Sequence, residues 1–223
     1  VGEVHAWLAD GAPIDAYKTT QSAFRHRRRY DEQPGGPFEV TVVLNDESMA
    51  DEHADVSEIY RDRAADVPID LTVHRRVTTT ELAAVISDGT DFLHYIGHCD
   101  RSGLRCRDGG LSIESLSESR TRTFFLNACG SYHEGLDLVD RGSLAGAVTL
   151  TAVLNEQAAK VGTAFARLLM HGFSIERALA LARRRILMGK DYAVVGDGTD
   201  SSVPGRGHPG VIQLTDEGDR YRL

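Results

Sequence analysis

Two short runs carry side chains that can do chemistry. The first, HYIGHCD, spans residues 94 to 100, and the second, TFFLNACGS, spans 123 to 131. Each reads as an apolar strand that finishes in reactive groups: His98, Cys99 and Asp100 in one, Cys129 in the other. Gly97 breaks the first strand just before His98 and lets the backbone turn or approach a ligand closely. A histidine at such a tip is placed to move protons. Cys129 closes its strand ahead of Gly130, Ser131 and an expected helix start. A helix N-terminus offers positive potential and free N–H groups, which favour a thiolate and an anion. Together these residues spell acyl transfer. Cys129 attacks, and His98 takes its proton and passes it to the leaving amine. The N–H of Cys129, with one from the turn Gly97 to Cys99, holds the oxyanion. Gly97, Cys99, Asp100 and Gly130 are the expected substrate-binding residues, with Asp100 a candidate wall of a pocket for a basic side chain.

A metal site is the rival chemistry, because His94, His98, Cys99, Cys106, Cys129 and His133 crowd together in sequence. Strand geometry argues against it. Residues four apart on a strand are separated by roughly 13 Å, so His94 and His98 cannot share one tetrahedral ion. No C-x-x-C spacing is present. The expectation is therefore no metal and no cofactor. His94 reads as a mid-strand residue packed beneath the site, and Cys106 as a structural residue on a hairpin. Cys99, next to His98, also suggests a redox brake through a disulfide to Cys129.

These residues need a frame. FEVTVVLND (38 to 46), IDLTVHRRV (69 to 77), DFLHYIGHC (91 to 99), TRTFFLNAC (121 to 129) and SLAGAVTLTAV (143 to 153) read as strands. Helical patterns alternate with them: DEHADVSEIYRDRAAD before Pro68, TTTELAAVIS capped by Thr78 or Thr79, SIESLSES, and YHEGLDLVDRG. GLRCRDGGLS reads as a hairpin turning at 108 to 110. Two stronger helices follow. Ala158, Val161, Phe165, Leu168 and Leu169 line the first, which stops at Gly172. Ser174 caps the second, lined by Ala178, Leu179, Ala182 and Ile186 and ending at Gly189. YAVVGDG and GVIQLTD read as closing strands, joined by a glycine-rich loop. Such alternation predicts an α/β fold with a mostly parallel sheet and helices on both faces. Ligands of doubly wound sheets sit outside the carboxyl ends of the strands, where both reactive runs finish.

Composition narrows the function classes. The chain has 223 residues, 41% hydrophobic and 26% charged, enough for one α/β domain with a sizeable core. The formal net charge of −8 argues against direct nucleic-acid binding. The basic cluster Arg25 to Arg29 is expected to be a solvated helix face, or else a dock for an acidic partner or segment. Lysine occurs only at 18, 160 and 190, a bias of genome or habitat more than of function. Three cysteines form no paired framework, which points to a reducing, cytoplasmic setting. No run is long and apolar enough for a membrane span. Residues 1–37 are expected to be a linker or part of a preceding region of a longer chain, with the domain proper at 38–223.

HYIGHCD followed by FFLNACGS resembles the His and Cys motifs of the caspase-like, clan CD cysteine peptidases. The ordered strand AGAVTL, the helix NEQAAKVGTAFARLLMHGFS, then IERALALARRRI and YAVVGDG are similar to one branch, the CHAT domain peptidases. The resemblance covers about residues 38 to 200. It implies a three-layer α/β/α caspase-like fold, hydrolysis of protein or peptide substrates, and a dyad of His98 and Cys129. Two departures stand out. Cys99 replaces a usual glycine after the histidine, and Gly130 replaces a frequent glutamate after the nucleophile. A catalytically silent binding module of the same fold is the alternative these departures raise.

Overall fold

Apolar runs at 38–44, 92–96, 123–127 and 145–149 are buried almost throughout, the pattern of strands in the middle of a parallel sheet. The structure, a computed structural model, describes residues 6–13, 16–31, 36–46, 49–65, 67–184, 189–201, 215–216 and 221–222. The chain opens with β1 (Ala6–Trp7), β2 (Tyr17–Lys18), α1 (Gln21–Asp31), β3 (Phe38–Leu44) and α2 (Ala50–Ala64). It continues through β4 (Ile69–Arg75), α3 (Thr79–Asp88), β5 (Phe92–Ile96), β6 (Cys99–Asp100), β7 (Gly103–Cys106) and β8 (Gly109–Leu111). Then come β9 (Thr123–Asn127), α4 (Tyr132–Arg141), β10 (Ala145–Thr149), α5 (Asn155–Met170), α6 (Ile175–Arg183) and β11 (Tyr192–Gly196). A small hairpin of β12 (Thr215–Asp216) and β13 (Tyr221–Arg222) closes the described chain.

Eight strands form one sheet in the order β1-β2-β11-β10-β9-β5-β3-β4. β4, β3, β5, β9 and β10 are mutually parallel, while β11 runs against β10 and is joined by β2 and β1 in its own direction. The expected mostly parallel sheet is present, with helices on both faces. Val56 and Tyr60 of α2, Val161 and Phe165 of α5, and Leu179 of α6 pack on one face. Ala23 of α1, Leu82 and Ile86 of α3, and Leu138 and Val139 of α4 pack on the other. Each fully buried large side chain contributes about 1.5–3 kcal/mol, so these two layers hold the strand ends in place.

Local sequence explains the joints. Thr78 caps α3 with a complete capping box: its hydroxyl accepts from the Glu81 N–H at 3.2 Å, and the Glu81 carboxylate accepts from the Thr78 N–H at 2.7 Å. Ser174 caps α6 by accepting from the Arg177 N–H. SIESLSES is not a helix but a short 3-10 turn at Ile113–Ser115, since its serines and lone apolar positions supply no helical stripe to bury. The strand after α4 ends at Thr149, and residues 150–154 form a loop across the site. The hairpin after His98 is a separate three-stranded sheet of β6, β7 and β8. Before residue 38, β2 pairs with β11, and α1 docks through Arg27, whose guanidinium meets Asp197 at 2.8 Å. Part of the basic cluster is thus an intramolecular dock. Ile186 and most of GVIQLTD lie outside the described residues, as does most of the glycine-rich loop.

Candidate active site

Parallel pairing brings the two reactive runs side by side. Ile96 of β5 is in register with Asn127 of β9, and the Gly97 N–H donates to the Asn127 carbonyl at 3.3 Å. His98 and Cys129 each lie two residues beyond that pair. They wall one small cavity of about 10 Å³ with Met49, Gly97, Asn127, Ala128, Thr149, Val153 and Ala158. That volume is about one water.

His98 is half exposed, and its Nε2 lies 2.7 Å from the Asp46 carboxylate, itself largely buried. A carboxylate can only accept, so Nε2 is the donor in this contact. Asp46 follows β3, the strand on the other side of β5, and sequence reasoning passed over it. The available signal was the polar Asn45–Asp46 pair that ends an otherwise apolar strand.

The Cys129 sulfur is held by the loop at 150–154. The Val153 N–H donates to it at 3.4 Å, and the thiol reaches the Val153 carbonyl at 3.8 Å. The Gly130 N–H donates to the Thr151 carbonyl at 3.3 Å. α4 begins at Tyr132, so the nucleophile does precede a helix start. The Ser131 hydroxyl does not cap that helix. It donates to the Leu126 carbonyl at 3.0 Å and accepts from the Thr149 N–H at 3.2 Å, tying β9 to β10 beneath Cys129.

The expected binding residues divide. A Cβ on Gly97 would lie 2.9 Å from the Tyr95 hydroxyl, which donates to the carbonyls of His98 and Arg105. Any side chain there would displace the anchor of His98. Gly130 has φ +68° with open space around it, so its reason is conformational, and a glutamate at this position would be strained rather than crowded. Asp100 is not part of the cavity wall. Its carboxylate accepts from the Ser102 N–H and hydroxyl, which hold it below the ordinary range, and it faces Arg105 at 3.3 Å. The Arg105 N–H donates to the His98 carbonyl at 2.9 Å, one bond across that position of the hairpin. The next pair, Cys99 and Leu104, is then a non-bonded one, so the Cys99 N–H points away from the hairpin. Among the described residues the Cys129 and His98 N–H groups also have no protein acceptor.

Burial pushes the Cys99 thiol up to about 12, with the nearby charges of Glu134, Asp100 and Cys129 adding to it. Burial likewise raises Cys106 to about 11. Both therefore stay protonated at neutral pH and are poor nucleophiles. His94 is fully buried, 3.0 Å from the Tyr60 hydroxyl and packed against Phe125, as a structural residue would be. Among the described residues no group of three or more His, Cys, Asp or Glu is arranged to hold a metal ion, and no helix is long and apolar enough to cross a membrane.

No family model matches the chain, and no curated protein matches it. Solved structures do. A separase–securin complex from Saccharomyces cerevisiae superposes with a TM-score of 0.55 over 78% of this chain at 14% identity. The fold is caspase-like. Gingipain R, an Arg-specific cysteine proteinase, superposes with a TM-score of 0.56 over 73% of this chain at 11% identity. Both neighbours are clan CD cysteine peptidases. The matches span 13% of the separase chain and 47% of the gingipain chain. At these identities the likeness carries the caspase-like fold alone.

Proposed function

We propose that this chain is a cysteine endopeptidase of the CHAT branch, acting on protein or peptide substrates with Cys129 as nucleophile and His98 as general base and acid. The observation that carries the reading is the shared cavity of His98 and Cys129 at neighbouring strand ends, with Asp46 on His98 Nε2. His98 Nδ1 takes the thiol proton as Cys129 Sγ bonds to the scissile carbonyl carbon. The Cys129 and Cys99 N–H groups hold the oxyanion. The tetrahedral intermediate collapses to a thioester as the leaving amine takes the proton from His98. Water, deprotonated by His98, then releases the acid and restores the thiol. Asp46 keeps the imidazole in the required tautomer and stabilises its charged form. The three free cysteines fit a reducing, cytoplasmic setting.

The small volume of the cavity and the grip of Val153 on Cys129 favour a second reading, a silent binding module. One experiment separates the two. A peptide-based electrophile is incubated with wild type, Cys129→Ala and His98→Ala, and adducts are read by intact mass. The peptidase reading expects a single wild-type adduct, absent in Cys129→Ala and slowed roughly a hundredfold or more in His98→Ala. Equal rates in wild type and His98→Ala, or no adduct while a small alkylating agent still modifies Cys129, would establish the module.

A further inference from the structure

The eight-stranded sheet ends differently on its two sides. On one side β11 is covered by β2 and β1, which continue the ladder. On the other, β4 is the last strand, and no described residue pairs with its outer side. It stays in unbroken register with β3 over seven residues, Ile69 to Arg75, with no bulge, proline or lysine among them. Those are the devices that commonly keep an edge from pairing. At the two ends of the strand the Pro68 carbonyl accepts from the Phe38 N–H at 2.7 Å, and the Arg76 N–H donates to the Leu44 carbonyl at 2.8 Å. The even-numbered residues of β4 therefore bond β3. The alternation turns the N–H and C=O groups of Ile69, Leu71, Val73 and Arg75 to the free side. The side chains divide as well. Ile69, Leu71 and Val73 pack against the core cluster that holds Val56 and Tyr60 of α2. Asp70, Thr72 and His74 lie on the other face, which is open: Asp70 and Thr72 line a cavity of about 430 Å³, and His74 one of about 560 Å³.

We propose that β4 docks on β4 of a second copy of this chain, antiparallel, about a two-fold axis at Thr72. Thr72 is the middle residue of the strand, so this axis pairs its whole length. Arg76, at φ +51°, has already left the strand and bounds the pairing surface. In this register Leu71 faces Val73, and Ile69 faces Arg75, as hydrogen-bonded pairs, because these residues carry the outward backbone groups. Asp70 falls opposite His74 in a non-bonded pair, where side chains approach most closely. The Asp70 carboxylate accepts from the His74 imidazole once on each side of the axis. The strand thus complements itself when reversed, whereas parallel stacking sets Asp70 against Asp70. The two copies share one continuous sheet, with the cavities of His98 and Cys129 at opposite ends of its strands.

The pairing uses neither Cys129 nor His98 and stands apart from the peptidase reading. An edge pair buries less surface than an obligate dimer, so the association is expected to be reversible and concentration-dependent. Sedimentation equilibrium of the whole chain in reducing buffer, at low salt, reads it. Asp70→Lys and His74→Glu each create repulsion or remove the bond on both sides of the axis, and each is expected to weaken the dimer roughly tenfold or more. The double variant Asp70→Lys with His74→Glu restores opposite charges and is expected to recover the wild-type constant within about threefold. Circular dichroism of each variant checks that the fold is kept, and the recovery in the double variant separates a lost contact from a lost fold. A chain that stays monomeric to millimolar concentration overturns the second copy as occupant and leaves the edge to a strand of another protein. Dimers that ignore both single variants overturn this edge as the interface. Dissociation by both, without recovery in the double variant, overturns the register about Thr72.

Discussion

Two cavities lie on the same parallel sheet, one at the carboxyl ends of its central strands and one along α3 beside the edge strand, and they differ in size and support. The one between β5 and β9 measures about 10 Å³ and the one beside β4 about 560 Å³. β5 and β9 have strand neighbours on both sides, so the loops that leave them are held from both sides. Asp46 reaches His98 from β3, and Val153 reaches Cys129 from the loop after β10. β4 is the sheet edge, and its end is met from one side only. A proton transfer needs atoms fixed to a fraction of an ångström.

The largest effect expected of any change tests the small cavity. Cys129→Ala should abolish covalent labelling altogether, while Cys99→Ala should leave the rate within about twofold, because burial keeps the Cys99 thiol protonated. Peptide mapping after alkylation checks both, and a label on Cys99 would remove the contrast between the two thiols. Asp46→Asn comes next. It should slow labelling by roughly tenfold to a hundredfold, between wild type and His98→Ala, as the imidazole loses its fixed tautomer.

Met49 walls the small cavity and is 5% exposed. Met49→Ala should lower unfolding stability by about 2–5 kcal/mol, yet speed reaction with a bulky peptide probe relative to a small one. Denaturant unfolding and the ratio of the two labelling rates read the two signs. A ratio that stays put would make Met49 a support and not a gate. Tyr60→Phe isolates His94, the histidine within β5. Losing this partner of His94 should cost about 1–3 kcal/mol and leave labelling by Cys129 unchanged. The smallest effect belongs to the edge. Asp108 accepts from the Thr79 N–H at 2.8 Å, which holds its carboxyl below the usual range. That contribution is present above the unfolded value of about 3.9 and is lost as acid protonates the folded carboxyl. Asp108→Asn should therefore lower the thermal midpoint at neutral pH and not in strong acid.

Much of the fold was legible because burial writes itself into composition. The strands around Val42, Tyr95, Phe125 and Ala147 are continuous apolar runs, and Thr78 with Glu81 announces the start of α3. SIESLSES misled because a polar helix and a polar turn share one composition. Tyr17 and Lys18 gave no strand signal because two residues carry no period, and they become a strand only by pairing with β11.

The site divides along the same line. His98, Cys129 and the glycines beside them stand out as candidates in the chain itself, because a reactive side chain that ends an apolar run next to a glycine is a local pattern. Their meeting was not local. It depends on β5 lying next to β9, and Asp46 joins them because β3 takes the other side of β5. Asp100, promising by its nearness to His98, turns to Ser102 and Arg105 instead, since a hairpin satisfies its nearest polar groups first. Residue types and spacing set which groups could react; strand order and loop hydrogen bonds, which act between residues far apart in the chain, decided which of them share a cavity.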